Sequence, residues 1–226
     1  GLTEVAVNAM PRVLVLTSGH EVIEPGESLT AGKIYNSNRA MICGLLEDLG
    51  FHKITHYHVS DAPEELESEI NHVLQLSEDA DIIISSGGVS VGLFDTMPLI
   101  YEKLGAKSIY ARIQMRPGAA SYGAVTPKGQ IIFGLSGNPG AAFNGWHLIV
   151  APTLKRYKGL VNWTTPVVAC VMDTEIFKRN AFDRYVQGKV IFGGGAPRFV
   201  ANRHFNSSSM LGLYTVNALA CIPRGV

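Results

Sequence analysis

The sequence predicts an α/β protein: a doubly wound, mostly parallel sheet with helices on both faces, followed by a small all-β, barrel-like domain. Short apolar runs alternate with stretches of helical periodicity through residue 105, and this alternation favours right-handed βαβ crossovers. After residue 164 helical periodicity gives way to short strand-like segments. We therefore place one domain at 1–160 and a second at 161–226, with 1–11 as a linker from an N-terminal region.

The elements of the first domain follow from apolar runs, helix caps and glycines. The run RVLVLT at 12–17 is typical of a strand that is covered on both faces. Asn36 and Ser37 are cap candidates for a helix that ends at Gly50, and Ser60 to Glu64 is typical of a second helix start. Further strands are expected at 54–59, 81–84 and 108–115 and in a hairpin of 120–126 with 130–135, and further helices at 95–104 and 139–158.

The second domain is expected to contain only strands and turns. Turns are predicted between the strand-like segments at Gly193-Gly194-Gly195 and at Ser207-Ser208-Ser209. The predicted strands are 167–172, 182–192, 198–202 and 218–222.

Charge and cysteine content narrow the class of protein. The chain has 19 basic and 19 acidic residues, so nothing in its net charge attracts nucleic acid or an anionic membrane. No apolar run approaches the roughly 20 residues of a transmembrane helix, and no signal peptide is visible. Cys43, Cys170 and Cys221 form no CxxC pair, which indicates buried or inert thiols and a cytoplasmic protein.

Three loops that contain glycine and serine follow predicted strands, namely Thr17-Ser18-Gly19, Ser85 to Gly92 and Ser136-Gly137-Asn138-Pro139. Ligands of an open parallel sheet bind outside the carboxyl ends of its strands. Glycine lets the backbone approach a ligand, and the amides of a following helix attract phosphate. Each loop alone is more often structural, but three at one sheet edge predict a site for a phosphorylated ligand.

The second of these loops resembles a known signature. Ser86-Gly87-Gly88-Val89-Ser90-Val91-Gly92, followed by Asp95, is similar to the GGVSVGxxD motif of the molybdopterin molybdenumtransferase family (MoeA and the gephyrin E domain). The C-terminal segment, with Ser207 to Leu211 and Asn217 to Leu219, resembles the family's last domain. Four more segments agree in order: Thr17-Ser18-Gly19-His20-Glu21, Ile34-Tyr35-Asn36-Ser37-Asn38, Met115-Arg116-Pro117-Gly118 and Gly134-Leu135-Ser136-Gly137-Asn138-Pro139.

The resemblance implies metal-dependent insertion of molybdate into adenylylated molybdopterin, with release of AMP and with Mg²⁺ as cofactor. It implies a homodimer and transient contacts with a molybdopterin adenylyltransferase and with molybdoenzymes. The implied catalytic residues are Glu21, Asp61, Asp95 and Arg112, with Asp95 and Glu21 near the metal and Arg112 near molybdate. The implied ligand-binding residues are Thr17, Ser18, Gly19, Ser86, Gly87, Gly88, Val89, Ser90, Arg116, Gly137, Asn138 and Pro139.

Each charged candidate also has a purely structural interpretation. Asp61 and Asp95 stand where helices are expected to begin, so both are also helix-cap candidates. Glu21 follows a strand end, where solvated carboxylates are common. Arg112 in a strand is also typical of a charge that keeps a sheet edge from aggregating.

Six positions depart from the family pattern and favour an alternative function. They remove charged or polar groups from the implied site, or change their geometry, which is typical of a catalytically degenerate molybdopterin-binding or scaffold module. A molybdopterin adenylyltransferase is a third interpretation, which the missing GGTG threonine and the extra β region disfavour. The departures are His20, Leu93, Arg116, Ala119, Ser136 and Ala141.

Overall fold

The computed structural model describes residues 1–88, 96–173, 180–202, 208 and 210–225. The strands are β1 Arg12–Ser18, β2 Val22–Ile23, β3 Ile34–Tyr35, β4 Lys53–Val59, β5 Ile82–Ser86, β6 Lys107–Tyr110, β7 Met115–Arg116, β8 Tyr122–Val125, β9 Ile131–Leu135, β10 Val171–Met172, β11 Asp183–Ile191, β12 Arg198–Ala201 and β13 Ala218–Ile222. The helices are α1 Ser37–Asp48, α2 Leu66–Ser77, α3 Thr96–Lys103, α4 Pro139–Gly145 and α5 Ala151–Tyr157, with a π-helical turn at Trp146–Val150 and a 3₁₀ turn at Leu213–Thr215.

The main sheet has six strands in the order β4-β1-β5-β9-β8-β6. The first four are parallel, while β8 and β6 pair antiparallel at one side. The chain passes from β1 out to β4 and then crosses back to β5 on the other side of β1, so the strand order reverses beside β1. This arrangement confirms the predicted mostly parallel, doubly wound sheet, and it places a ligand site at the carboxyl ends of β1 and β5.

Each face of the main sheet has its own apolar core. Strand β1 shows the reason, because Val13 and Val15 point to one face and Leu14 and Leu16 to the other. The first core packs against α1 and the helical run from α4 to α5, and the second packs against α2 and α3. Helices therefore cover both faces, as the nearly continuous apolar run in β1 predicts.

The C-terminal region forms a second sheet in the order β10-β12-β11-β13, with β7 also paired to β11. Because β7 comes from the first region, this sheet is shared between both regions and is not an all-β unit of residues 161–226 alone. Gln187, which is buried, joins the regions further by donating from Nε2 to Gly140 O (2.7 Å) and Asn144 Oδ1 (2.9 Å). Of the predicted strand 167–172, only Val171–Met172 is a strand.

Helix α2 begins later than the sequence predicts. Residues 62–65 form a turn in which the Glu65 N–H donates to Ala62 O (3.0 Å), and the helix starts at Leu66 with Glu65 as its N-cap. The interpretation of Asp61 as the cap of this helix is therefore wrong, because Asp61 precedes the turn.

The predicted strand 108–115 is shorter than expected. Strand β6 ends at Tyr110 after an irregular register with β8, and a bond from the Ile113 N–H to Ala119 O (3.1 Å) closes a loop. Arg112 is exposed in this loop. The interpretation of Arg112 as a charge in the middle of an edge strand is therefore wrong.

No helix in the described part of the chain is both long enough and apolar enough to cross a membrane. The three cysteines are free thiols: Cys43 is half-buried, whereas Cys170 and Cys221 are exposed. Burial, which the sequence suggested for these thiols, is therefore partial at Cys43 and absent at the other two.

Candidate functional site

The carboxyl ends of β1, β5 and β9 open into one cavity of about 700 Å³, a volume typical of small-molecule sites. Loops that follow these strands form its floor, strands β2 and β3 form a side wall, and the C-terminal region contributes one residue. The described lining residues are Thr17, Ser18, Gly19, His20, Glu21, Val22, Ile34, Tyr35, Asn36, Ser37, Asn38, Asp61, Ser86, Gly87, Gly88, Ala120, Ser136, Gly137, Asn138, Pro139 and Ser208.

The ends of β1 and β5 lie so close together that only glycine fits after β5. A Cβ atom at Gly87 would lie 2.5 Å from Ser18 O, and one at Gly88 would lie 2.7 Å from Ser18 Oγ. Both glycines also have positive φ angles, +89° and +59°, which L side chains disfavour. The Gly-Gly pair is therefore required by the close approach of these two strand ends.

Asn38, in the first turn of α1, fixes two strand ends to this helix. Its Nδ2 donates to Ser86 Oγ (2.8 Å) and to Gly137 O (2.7 Å). The Ser86 hydroxyl in turn donates to Ser136 O (3.1 Å). Since Asn38 is buried, these bonds are shielded from water and hold the ends of β5 and β9 against α1.

The Thr17 hydroxyl faces a polar cluster inside the protein. Thr17 Oγ1 lies 2.9 Å from Asn36 Nδ2, 3.1 Å from His56 Nε2 and 3.1 Å from His58 Nδ1. A hydroxyl can donate one hydrogen bond and accept two, so these three contacts use its full capacity. Thr17 lines the cavity, but its hydroxyl is already occupied.

The same cluster anchors the loop that carries Glu21. Glu24 accepts hydrogen bonds from Asn36 Nδ2 (2.7 Å) and Arg39 NH1 (2.5 Å). Burial raises the pKa of Glu24, but the bonds from Asn36 and Arg39 outweigh it and hold the pKa below its ordinary value. Burial, together with the nearby Arg39 cation, lowers the pKa of His56 to about 4, so its ring is neutral at pH 7.

Two carboxylates, Glu21 and Asp61, line the cavity, whereas no lysine or arginine is among its described lining residues. Asp61 Oδ1 accepts a hydrogen bond from Thr96 Oγ1 (3.3 Å), at the start of α3. Glu69 holds the Asp61 turn in place, because its Oε2 accepts the Ser60 N–H (3.1 Å). The described part of the cavity therefore carries net acidic character and depends on amides and hydroxyls to bind an anion.

Comparison with known proteins decides the family. The family described as "Probable molybdopterin binding domain" matches residues 14–156, which include every described cavity residue except Ser208. The chain belongs to this family. The match covers the main sheet and the strand ends that surround the cavity.

Longer relatives of this molybdopterin-binding domain extend the comparison to the whole chain. A molybdopterin molybdenumtransferase of Staphylococcus aureus (strain MRSA252) is 33% identical over 225 residues, which cover 100% of this chain and 53% of the relative. A molybdopterin molybdenumtransferase of Staphylococcus epidermidis (strain ATCC 12228) is 30% identical over 229 residues, again 53% of the relative. The chain thus spans about half the length of these relatives.

Solved structures show the same fold. Two crystal structures of the molybdopterin biosynthesis MoeA protein from Pyrococcus horikoshii superpose with TM-scores of 0.73 and 0.72 at 24% and 20% identity. They cover 94% and 97% of this chain, and 50% and 51% of their own chains. The C-terminal sheet is therefore part of the arrangement that this chain shares with those proteins.

Most residues that the sequence assigned to the site of this molybdopterin-binding domain lie together. Val89, Ser90 and Asp95 fall outside the described residues, as does the departure at Leu93. The assigned residues that line the cavity are Thr17, Ser18, Gly19, Glu21, Asp61, Ser86, Gly87, Gly88, Gly137, Asn138 and Pro139.

The two assigned arginines lie elsewhere. Arg112 is exposed in the loop after β6, and the Arg116 guanidinium on β7 lies 5.5 Å from the centroid of the Phe182 ring. Neither is among the described residues that line the cavity. Strand β7 pairs with β11 of the second sheet, and this pairing directs Arg116 to that sheet.

Of the two assigned metal ligands, only one lies within the described residues. Glu21 lines the cavity, whereas Asp95 is outside the described residues. Within the described residues, no group of three or more histidine, cysteine, aspartate or glutamate side chains could hold a metal ion. Glu21 and Asp61 are oxygen ligands of the type that Mg²⁺ prefers.

The sequence assigned no role in the site to Asn38, His56 or His58. The rings of His56 and His58 are half-buried and bond to Thr17. The parallel register of β1 with β4, which pairs Thr17 with His58, creates this cluster. Local sequence gives the alternation of the histidines but not the strand that lies beside them.

Proposed function

We propose that this chain supplies the molybdopterin-binding site of a molybdopterin molybdenumtransferase, an enzyme of molybdenum cofactor biosynthesis. The reaction is insertion of molybdate into adenylylated molybdopterin with release of AMP. One observation carries the proposal: three glycine- and serine-containing loops meet at one cavity, inside the residues that the molybdopterin-binding family matches. Relatives named molybdopterin molybdenumtransferase, at 33% identity, support the transfer of molybdenum to molybdopterin.

The phosphate of molybdopterin is held by dipoles and hydroxyls in this proposal. The glycine turn after β5, with Gly87 and Gly88, lies at the cavity, and glycine lets the backbone approach an anion closely. The Ser18 hydroxyl at the end of β1 adds a polar contact without charge. This arrangement suits a phosphorylated ligand in a cavity whose described lining has no lysine or arginine.

The two carboxylates support a requirement for Mg²⁺. Glu21 and Asp61 line the same cavity and would repel a phosphate, so a divalent cation between them and the ligand removes the conflict. When bound, Mg²⁺ supplies charge neutralisation at the phosphate. Glu21 and Asp61 are the described residues that would hold it, and Thr96 and Glu69 keep the Asp61 turn in position.

The test is AMP release from adenylylated molybdopterin, with the S. aureus relative as positive control. We expect release only when Mg²⁺ and molybdate are both present. Glu21→Gln and Asp61→Asn should each lower the rate roughly 100-fold, since each removes a charge that holds the cation. Glu78→Gln, at the opposite edge of the sheet, is the matched control and should leave the rate unchanged. AMP release without Mg²⁺ or molybdate would contradict the proposed reaction.

A second function is favoured by the positions of Arg112 and Arg116, which lie away from the described cavity lining. A site whose described lining has no lysine or arginine could bind molybdopterin and not turn it over, as a binding or scaffold module does. That function predicts molybdopterin binding with an affinity that Mg²⁺ does not change, and no AMP release. Measured Mg²⁺-dependent release would exclude it.

The proposal also includes the cellular location, the oligomeric state and the partner proteins that the resemblance implies. These are a cytoplasmic homodimer and transient contacts with a molybdopterin adenylyltransferase and with molybdoenzymes. Sedimentation velocity of the purified protein tests the dimer: a particle of twice the 24.4 kDa chain mass is expected. A monomer at all concentrations would contradict a dimer formed by this chain.

A further inference from the structure

One buried carboxamide oxygen at the cavity has no hydrogen-bond partner in the described part of the chain. Asn38 is 9% exposed and lines the cavity, yet its Oδ1 meets no donor there. The hydroxyl oxygen of Ser18, a residue that is 7% exposed, also has no hydrogen-bond partner among the described residues. Buried acceptors without donors are destabilising and rare in native proteins, so these atoms indicate a missing ligand group.

The chemistry of its neighbours fixes which end of the Asn38 amide faces them. Gly137 O can only accept, and the Ser86 hydroxyl already donates to Ser136 O. Rotating the amide by half a turn would place Oδ1 against the Gly137 carbonyl, acceptor against acceptor. The oxygen therefore faces away from both bonds that Nδ2 makes.

The character of Oδ1 selects the ligand group. Phosphate oxygens at neutral pH accept hydrogen bonds, so this oxygen repels the phosphate end of a ligand. The amide edge of a pterin ring carries N–H donors. We propose that Asn38 Oδ1 accepts a hydrogen bond from this pterin edge and so determines which end of molybdopterin enters beside α1. This inference rests on the proposed function, because it assumes that the cavity binds molybdopterin.

The first experiment uses the unmodified chain and pterin fluorescence. Binding of pterin is compared with binding of its 2-dimethylamino-3-methyl analogue, which lacks the N–H donors, and of 7-methylpterin, which keeps them and controls for added bulk. We expect the donor-free analogue to bind roughly 10- to 100-fold more weakly, as the loss of one buried hydrogen bond predicts. We expect 7-methylpterin to bind as pterin does. Equal affinity for all three would overturn the inference.

The second experiment assigns the effect to Asn38. In Asn38→Ala the ratio between pterin and the donor-free analogue should fall toward one, while binding of inorganic phosphate stays unchanged. Gln130→Ala is the matched control, since it also removes a buried carboxamide that donates to two acceptors, Ser77 O and Ala80 O, but lies at the other edge of the sheet, and it should keep the wild-type ratio. A merely structural role would make Asn38→Ala weaken pterin and phosphate binding equally, and that result would also overturn the inference.

The two proposals fail in different ways. If the chain binds neither molybdopterin nor pterin, both the proposed function and this inference are contradicted. If the chain binds molybdopterin but Asn38→Ala keeps the wild-type ratio between pterin and the donor-free analogue, only the role of Asn38 is contradicted. Should Asn38→Ala not fold, as its melting curve would show, the analogue series on the wild-type chain still decides, because equal affinity for the three pterins overturns the inference.

Discussion

The two edges of the main sheet satisfy their polar groups in different ways. At the amino edge, where β1, β5 and β9 begin, a cavity of about 430 Å³ is lined by charged residues that pair with one another. Arg12 pairs with Asp79 at 2.6 Å, and Lys128 pairs with Glu78 at 3.2 Å. At the carboxyl edge, the larger cavity is lined mainly by glycine, serine and asparagine beside the carboxylates of Glu21 and Asp61, and it leaves Asn38 Oδ1 without a partner among the described residues.

This difference separates a closed sheet edge from a binding site. A ligand at the amino edge would have to replace ion pairs that the protein already makes. A ligand at the carboxyl edge would supply hydrogen bonds that the described residues lack. Both cavities lie at edges of the same sheet. They differ in whether their polar groups already have ion-pair or hydrogen-bond partners within the protein.

The largest effect is expected for Gly87→Ala. The added Cβ would lie 2.5 Å from Ser18 O at a φ of +89°, so we expect a loss of about 3 kcal/mol of stability and no molybdopterin binding. Gly129→Ala is the matched control at the amino edge, with φ +84° but no atom within 4 Å of its Cβ. It should cost about 1 kcal/mol and leave binding intact. Denaturant melts and pterin fluorescence measure both, and equal losses in the two variants would contradict the close approach at Gly87.

A smaller effect is expected at Gln130, on the amino edge. This buried side chain donates from Nε2 to Ser77 O (2.6 Å) and Ala80 O (2.8 Å). Gln130→Ala leaves both carbonyls without this donor, so it should lower the free energy of unfolding by about 2 kcal/mol. Molybdopterin affinity, measured by titration, should not change. If this variant weakened binding as much as Asn38→Ala, the two edges would not be independent.

The histidine cluster at the carboxyl edge predicts a pH effect. Because the pKa of His56 is lowered to about 4, the unfolded chain takes up a proton near pH 6.5 while the folded chain does not. Stability should therefore fall as pH decreases from 6.5 to 4, with a contribution from this half-buried ring on the order of 1 kcal/mol. His56→Gln should reduce the dependence, measured by melts across that range, and leave the part due to His147, whose pKa burial also lowers to about 4. His52→Gln, at an exposed position, is the control, and an equal flattening there would contradict the assignment.

The smallest effect is expected for the exposed ion pair of Arg12 and Asp79. Their side chains are 55% and 84% exposed, so Arg12→Ala should cost about 0.5 kcal/mol, and less at high salt. Melts at low and high salt measure this. A loss of several kcal/mol would show that the amino edge stabilises the sheet far more than surface ion pairs usually do.

Features that depend on local pattern could be predicted from the sequence. The run from Arg12 to Thr17 has the nearly continuous apolar pattern of a buried strand, because both faces of β1 pack against helices. The Gly87-Gly88 turn could be placed because a strand ends just before it. The loops at Gly19, Gly87 and Gly137 were expected at one edge because parallel strands share their carboxyl ends.

Features that depend on pairing between distant segments could not be predicted. Arg116 lies on a strand that pairs with β11, and no local signal marks that partner. The position of Asp61 depends on a turn after Ala62 that resembles a helix start in sequence. The bonds of Asn38 join three segments, so its role appears only when β5, β9 and α1 are in place.

The most direct test of the central claim is a chemical-shift map of the ¹⁵N-labelled chain on addition of molybdopterin. We predict that the amides of Ser18, Gly19 and Asn38 shift, whereas those of Arg12 and Gly129 at the amino edge do not. Shifts confined to the amino edge, or no shifts at saturating molybdopterin, would contradict the assignment of the carboxyl edge as the binding site.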